Sequence, residues 1–145
     1  MITIRNWRFP AGLLYDVPHH CWYRTEADGL VRLGMTEVAV ALAGDILAYT
    51  PKRAGLPVEA GRSCAVIESG KWVGPVRIAF AATMVAVNEA MMARPALANA
   101  DPYGAGWVAL VRPDDPAALE GLLSGNALEA AYAAWMVAED FPARE

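Results

Sequence analysis

The chain has 145 residues, of which 56% are hydrophobic and 19% charged, a balance that buries a sizeable core and argues against disorder. A formal net charge of -4 argues against nucleic acid as a partner, and the longest uncharged apolar run is about half of the roughly 20 residues that a membrane span needs. Two cysteines, Cys21 and Cys64, give no disulfide framework and fit a reducing, cytoplasmic setting, and "MITIRNWRFP" lacks the pattern of a secretory leader.

In chain order, "CWYRTEADGLVRLGM" predicts two short strands joined at Asp28-Gly29, a strong hairpin signal. "TEVAVALAGD" predicts a short helix that Thr36 caps and Gly44 stops as a left-handed αL residue. "DILAYTP" is a strand that Pro51 ends, and "LPVEAG" is turn material. In "CAVIESGKWVG", strand formers flank Gly70-Lys71, which has the form of a two-residue hairpin turn with Gly70 where φ > 0 is required. "TMVAVNEAM" starts as a strand, and Asn88 caps a short helix before Pro95. "DPYGAGW" is a glycine-rich loop feeding the strand "WVALVR".

Asp115 caps a helix that Pro116 opens, and Asn126 with Glu129 resembles a capping box. Leu128, Ala131, Tyr132, Trp135 and Met136 then form one apolar helical stripe, expected to pack on a sheet. Many short strands with helices gathered late predict a β-rich sandwich or barrel carrying a C-terminal helical segment.

Lys71 is the residue that needs explaining. A lysine at a hairpin tip either keeps a turn soluble or presents its amine for covalent modification, and the stretch alone leaves both open. "HHC", His19 to Cys21, lacks the three or four convergent ligands of a metal site, so no metal is expected, and His20 is expected to fix local structure by hydrogen bonding. No Ser-His-Asp order, phosphate-cradling loop or carboxylate pair stands out, so turnover without partner proteins is not expected.

Six fragments occur in order over most of the chain: "HCW" (20–22), "LGMT" (33–36), "LAGDI" (42–46), "AVIESGKW" (65–72), "VNEAM" (87–91) and "PALANADPYGAGW" (95–107). On these the chain resembles the H protein of the glycine cleavage system and, more broadly, the H-protein-like lipoyl carriers. The resemblance implies a mainly β, lipoyl-domain-like barrel-sandwich hybrid with short helices and a C-terminal helical segment. It implies a single carrier domain over residues 1–145, with its core in 15–112 and C-terminal helices in 115–140. It makes the protein a carrier rather than an enzyme, with lipoate joined by an amide to Lys71.

Gly70 and Ser69 then keep the tip slim. Glu68 matches an acidic position that helps recognition by a lipoate ligase or lipoyl transferase, or is an ordinary strand-end carboxylate. Trp72 covers the dithiolane ring, docks on a partner or packs across its own hairpin. Cys21 exchanges with the lipoyl disulfide or is a small buried hydrophobe, and Cys64 is expected to be core.

Departures from the family pattern suggest a pathway. Cys21 replaces a glutamate. "ESGKW" followed by Val73, Gly74 and Pro75 replaces "ESVKA" followed by Ser-Asp. "AFAA" (79–82) replaces "APVSG" and leaves an apolar patch with Phe80, either a partner-docking surface or a differently built turn. The lost carboxylates would shelter an aminomethyl amine, and "ESGKW" resembles the lipoate-binding proteins of bacterial sulfur oxidation. That likeness implies an arm carrying a sulfur-bound intermediate and reducing equivalents with a heterodisulfide-reductase-like complex and dihydrolipoamide dehydrogenase. The alternative is an H protein carrying the aminomethyl group of glycine cleavage, and a second is an unmodified scaffold or docking module.

Overall fold

The computed structural model describes residues 1–145. Strands β1 (Ile2–Ile4) and β2 (Trp7–Phe9) form a hairpin, turned on Arg5 and Asn6 with φ of 50° and 71°. A pair of left-handed residues is what a tight hairpin requires. Strands β3 (Leu14–Asp16), β4 (Cys21–Thr25) and β5 (Val31–Met35) run as a meander. The β4–β5 turn has Asp28 and Gly29 at φ 61° and 75°, as the Asp-Gly signal predicts.

Helix α1 (Glu37–Ala43) begins where Thr36 Oγ1 accepts the Ala39 N–H at 3.2 Å and ends at Gly44, which has positive φ as expected but an extended ψ of -160° rather than the αL value. Then come β6 (Ile46–Pro51), β7 (Pro57–Val58), β8 (Ser63–Ser69), β9 (Val73–Arg77) and β10 (Ala82–Val87). Asn88 caps α2 (Glu89–Ala93) through the Met91 N–H, and α3 (Leu97–Ala100), β11 (Ala109–Pro113) and α4 (Gly125–Ala138) complete the chain.

Two antiparallel sheets enclose the main core: a six-stranded sheet ordered β3-β4-β5-β11-β10-β7 and a three-stranded sheet ordered β6-β8-β9. Tyr23 and Leu33 from the first meet Tyr49, Ile67 and Val76 from the second. A second core lies on the other side of β4, where Phe9, Tyr15 and Trp22 pack with Leu128, Tyr132 and Met136 of α4. The strand's period of two puts Cys21 and Tyr23 in one core and Trp22 in the other. Trp22 also explains Gly34, its cross-strand partner: a Cβ there would stand 2.7 Å from the indole. The β-dominated core with short helices and a C-terminal helix matches the expected class. No helix is long and apolar enough to cross a membrane.

Several local expectations change. Pro57 and Val58, read as turn, pair with Thr83 and Ala82 of β10. Residues after Asp115 form a 3-10 stretch, Pro116–Gly121, rather than an α-helix. Helix α4 starts two residues ahead of the Asn126 cap, on Ser124, because Tyr15 and Leu123 exchange two backbone hydrogen bonds of 2.9 Å and fix the chain just before it. At "AFAA" the docking-surface reading fails and the differently built turn remains. Phe80 is buried against Tyr23 at 5.3 Å between ring centroids, and the Ala79 N–H donates to Tyr23 Oη at 3.0 Å.

Candidate functional site

The β8–β9 hairpin presents Lys71 at its tip, with Glu68 paired to Val73 at the base and exposed. The Ser69 N–H donates to the Trp72 carbonyl at 2.7 Å. Ser69 Oγ donates to the same carbonyl and accepts the Lys71 N–H, both at 3.3 Å. Gly70 does not have the positive φ that the sequence predicts. A serine hydroxyl bonded to nearby backbone offers another way to close a tight turn. What Gly70 contributes is bareness, since nothing lies within 4 Å of where its Cβ would stand.

Lys71 is exposed, and none of the ion pairs in the structure includes it. Its aliphatic stem lies on Gly44, with Cε 2.9 Å from where a Gly44 Cβ would stand. Gly44 has φ 85° and ψ -160°, a conformation open essentially to glycine alone. Asn99 fixes that turn from both sides: Oδ1 accepts the Ile46 N–H at 2.9 Å and Nδ2 donates to the Gly44 carbonyl at 3.0 Å. Thus α3, in the segment "PALANADPYGAGW", braces the surface on which the lysine rests.

Beside this hairpin lies a mostly apolar cavity of about 200 Å³. Ala39, Leu42 and Ala43 of α1 form one wall, and Cys21, Met35 and Val76 lie deeper. Trp72 forms another wall, folded over Gly74 so closely that a Cβ there would stand 2.1 Å from the indole. The volume falls below the roughly 300 Å³ at which pockets for drug-sized ligands begin. The cavity suits a small apolar ring.

The titratable groups around it are settled by burial and hydrogen bonding. Cys21 Sγ lies 3.4 Å from the His19 carbonyl and 3.7 Å from that of Arg77, and burial pushes its thiol well above its ordinary pKa. Exchange needs a thiolate, which burial disfavours here. Cys64, a core residue as expected, is pushed up to about 12 by burial. His19 Nδ1 pairs with Asp16 Oδ2 at 2.7 Å on the cavity side. His20 Nδ1 instead meets Tyr132 Oη at 2.9 Å, and burial pushes it down to about 4, so the ring is neutral. His20 thus hydrogen-bonds within the structure, to a partner distant in sequence.

The structure brings Lys71, Gly70, Trp72 and Cys21 to the hairpin and its cavity, and places Glu68 just outside it. Sequence reasoning gave Gly44 only the end of a helix, took Gly74 only as a departure from the family pattern, and passed over Asn99. A visible signal existed for Gly74: it stands two residues after a tryptophan, on the same face of an extended chain, where a ring can cover a bare backbone.

The family model described as "Glycine cleavage H-protein" matches residues 13–134. "Glycine cleavage system H protein 5" of Aquifex aeolicus is 44% identical over 127 residues, covering 85% of each chain. The "Glycine cleavage system H protein" of Escherichia coli is 40% identical over 121 residues, covering 83% of this chain and 93% of its own length. The crystal structure of a glycine cleavage system H protein from Mycobacterium marinum superposes with a TM-score of 0.73 at 34% identity, covering 86% of this chain and 98% of that one. These likenesses overturn the expectation of a sulfur-oxidation carrier working with a heterodisulfide-reductase-like complex. The structure also gives part of its basis another cause: Trp72 and Gly74 differ from the family pattern as one packed pair, a ring and its seat. Such packing says nothing about cargo.

Proposed function

The chain belongs to the glycine cleavage H-protein family, and from that premise we propose that it carries the aminomethyl group of glycine cleavage on a lipoyl arm joined by an amide to Lys71. Proteins of this family are carriers passed between enzymes rather than catalysts, and this chain is a carrier of that kind. The observation that carries the reading is an exposed, unpaired lysine on a bare hairpin tip beside a small apolar cavity. The residues present fit a lipoyl group. When attached, it supplies a disulfide ring that takes up a group and electrons by exchange.

The protein's own residues do the positioning. Ser69 closes the bend and Gly70 leaves it bare, so a lipoate ligase or lipoyl transferase reaches the amine. Glu68 offers that enzyme a carboxylate on the strand leading to the lysine. Asn99 and Gly44 give the stem a fixed surface to leave and return to. Cys21, Met35 and Val76 line the resting place without offering competing thiolate chemistry. An amine brought there needs polar partners when it leaves water. The His19–Asp16 pair supplies them where Cys21 does not. Dihydrolipoamide dehydrogenase reoxidises the arm after use.

The test is direct loading. The lipoylated chain is offered to glycine decarboxylase with glycine, and an aminomethyl adduct is sought by intact mass. The adduct appears on wild type and is lost in Lys71→Arg. A lipoylated chain that takes no adduct refutes the reading.

A further inference from the structure

We propose that the Trp72 indole is a swinging lid that shields the dithiolane ring in its resting cavity, with Gly74 as the seat of the closed lid. This rests on the reading of Lys71 as the lipoyl-bearing residue and concerns how the chain protects its own arm.

Three observations converge on Trp72. It adjoins the attachment lysine, and its ring forms one wall of the cavity facing α1. The ring is seated by contact with a glycine whose missing side chain makes the room: a Gly74 Cβ would stand 2.1 Å from it. Finally, the backbone beneath is hydrogen-bonded while the ring is not. The Trp72 carbonyl accepts two hydrogen bonds from Ser69. The indole N–H has no partner in the protein, whereas those of Trp7 and Trp22 donate to carbonyls at 2.9 Å. With 41% of the residue exposed, the ring is held by van der Waals contact alone.

Such a ring moves on its own side-chain torsions without disturbing the hairpin. Its face suits a polarizable sulfur, which packs favourably against aromatic rings. A ring sulfur between the indole and the α1 wall is hidden from thiols in solution. A partner that displaces the indole exposes it. Trp72 thus acts on access to the arm, as a positioning residue.

The test uses the whole chain, lipoylated at Lys71 and checked by intact mass. The first readout is tryptophan fluorescence: attaching the disulfide-bearing arm quenches wild type, and Trp72→Phe loses most of that change. The second is the rate at which a water-soluble phosphine reduces the dithiolane, followed by its near-ultraviolet absorbance. Trp72→Ala raises that rate about fivefold, the scale of one lost sulfur–ring contact. Gly74→Ala, whose methyl takes the seat of the ring, raises it by a similar factor, and the double variant goes no further. If lipoylated Trp72→Ala is reduced at the wild-type rate and wild-type emission does not change on lipoylation, the lid is refuted while Lys71 stands. A chain that accepts no lipoyl group refutes the lysine reading itself, and the lid with it.

Discussion

Replacing Gly44 by alanine tests whether the lysine's resting surface is built on backbone that only glycine adopts. At φ 85° and ψ -160°, a Cβ at this position is strained whatever space surrounds it. Conformations of this kind cost about 1–3 kcal/mol for a residue with a side chain. The added methyl also meets Lys71 Cε at 2.9 Å, but that atom ends a flexible stem and moves aside cheaply. Backbone strain therefore dominates, and Gly44→Ala loses about 2 kcal/mol of stability. For a chain of this size the melting temperature falls by about 6 °C. Urea unfolding with an unchanged m-value reads the loss as a shift in midpoint. The same substitution in a Lys71→Ala background loses nearly as much, because removing the stem does not relax the backbone. A loss below about 0.5 kcal/mol, within the range of an ordinary surface change, refutes the strain argument. Full rescue by Lys71→Ala assigns the cost to the side-chain contact instead.

Three further outcomes follow from buried groups. His20 has an ordinary value of 6.5 and burial lowers it to about 4 in the folded chain, so its contribution is fully present above pH 6.5 and is lost as pH falls toward 4. Between those limits wild type loses about 3 kcal/mol more than His20→Asn, which tolerates the local φ of 55°, as measured by denaturation at several pH values. Asn88→Ala, which leaves the Ala105 and Trp107 carbonyls and the Met91 N–H without their partner, costs about 3 kcal/mol in urea unfolding. Cys21 and Cys64 stay unreactive toward dithiodipyridine in the native chain and both react once guanidinium unfolds it; rapid native labelling of Cys21 contradicts its role as inert wall.

Where the fold was legible, the cause was local. Thr36, Gly44, Asn88 and the Asp28-Gly29 turn act through atoms within a few residues, so their types alone place the helix ends and the hairpin. The stripe of Leu128, Tyr132 and Met136 is legible for the same reason, because helical periodicity defines its buried face. Features set by distant contacts were not. Ser124 starts α4 because Leu123 is bonded to Tyr15, more than a hundred residues earlier. Phe80 is buried because Tyr23 lies opposite it.

At the site, Lys71 on a hairpin tip was visible from strand formers around Gly70, although Ser69 rather than a left-handed glycine closes the turn. The bracing by Asn99 was hidden because its two partners lie about fifty residues upstream. The cargo was misread for a related reason. Trp72 and Gly74 in "ESGKWVG" looked like marks of another pathway, whereas they form one packing solution, and Cys21, read as a lost carboxylate, lines the cavity as a buried side chain.

The central claim is that one amine, at position 71, bears the group that makes this chain a carrier. Treating wild type and Lys71→Arg with lipoate, ATP and a lipoate ligase, then measuring intact mass and mapping the modified peptide, tests it most directly. Wild type gains a single lipoyl increment on the peptide containing Lys71, and the arginine variant gains none. An increment that survives in the variant, or one mapped to Lys52, contradicts it.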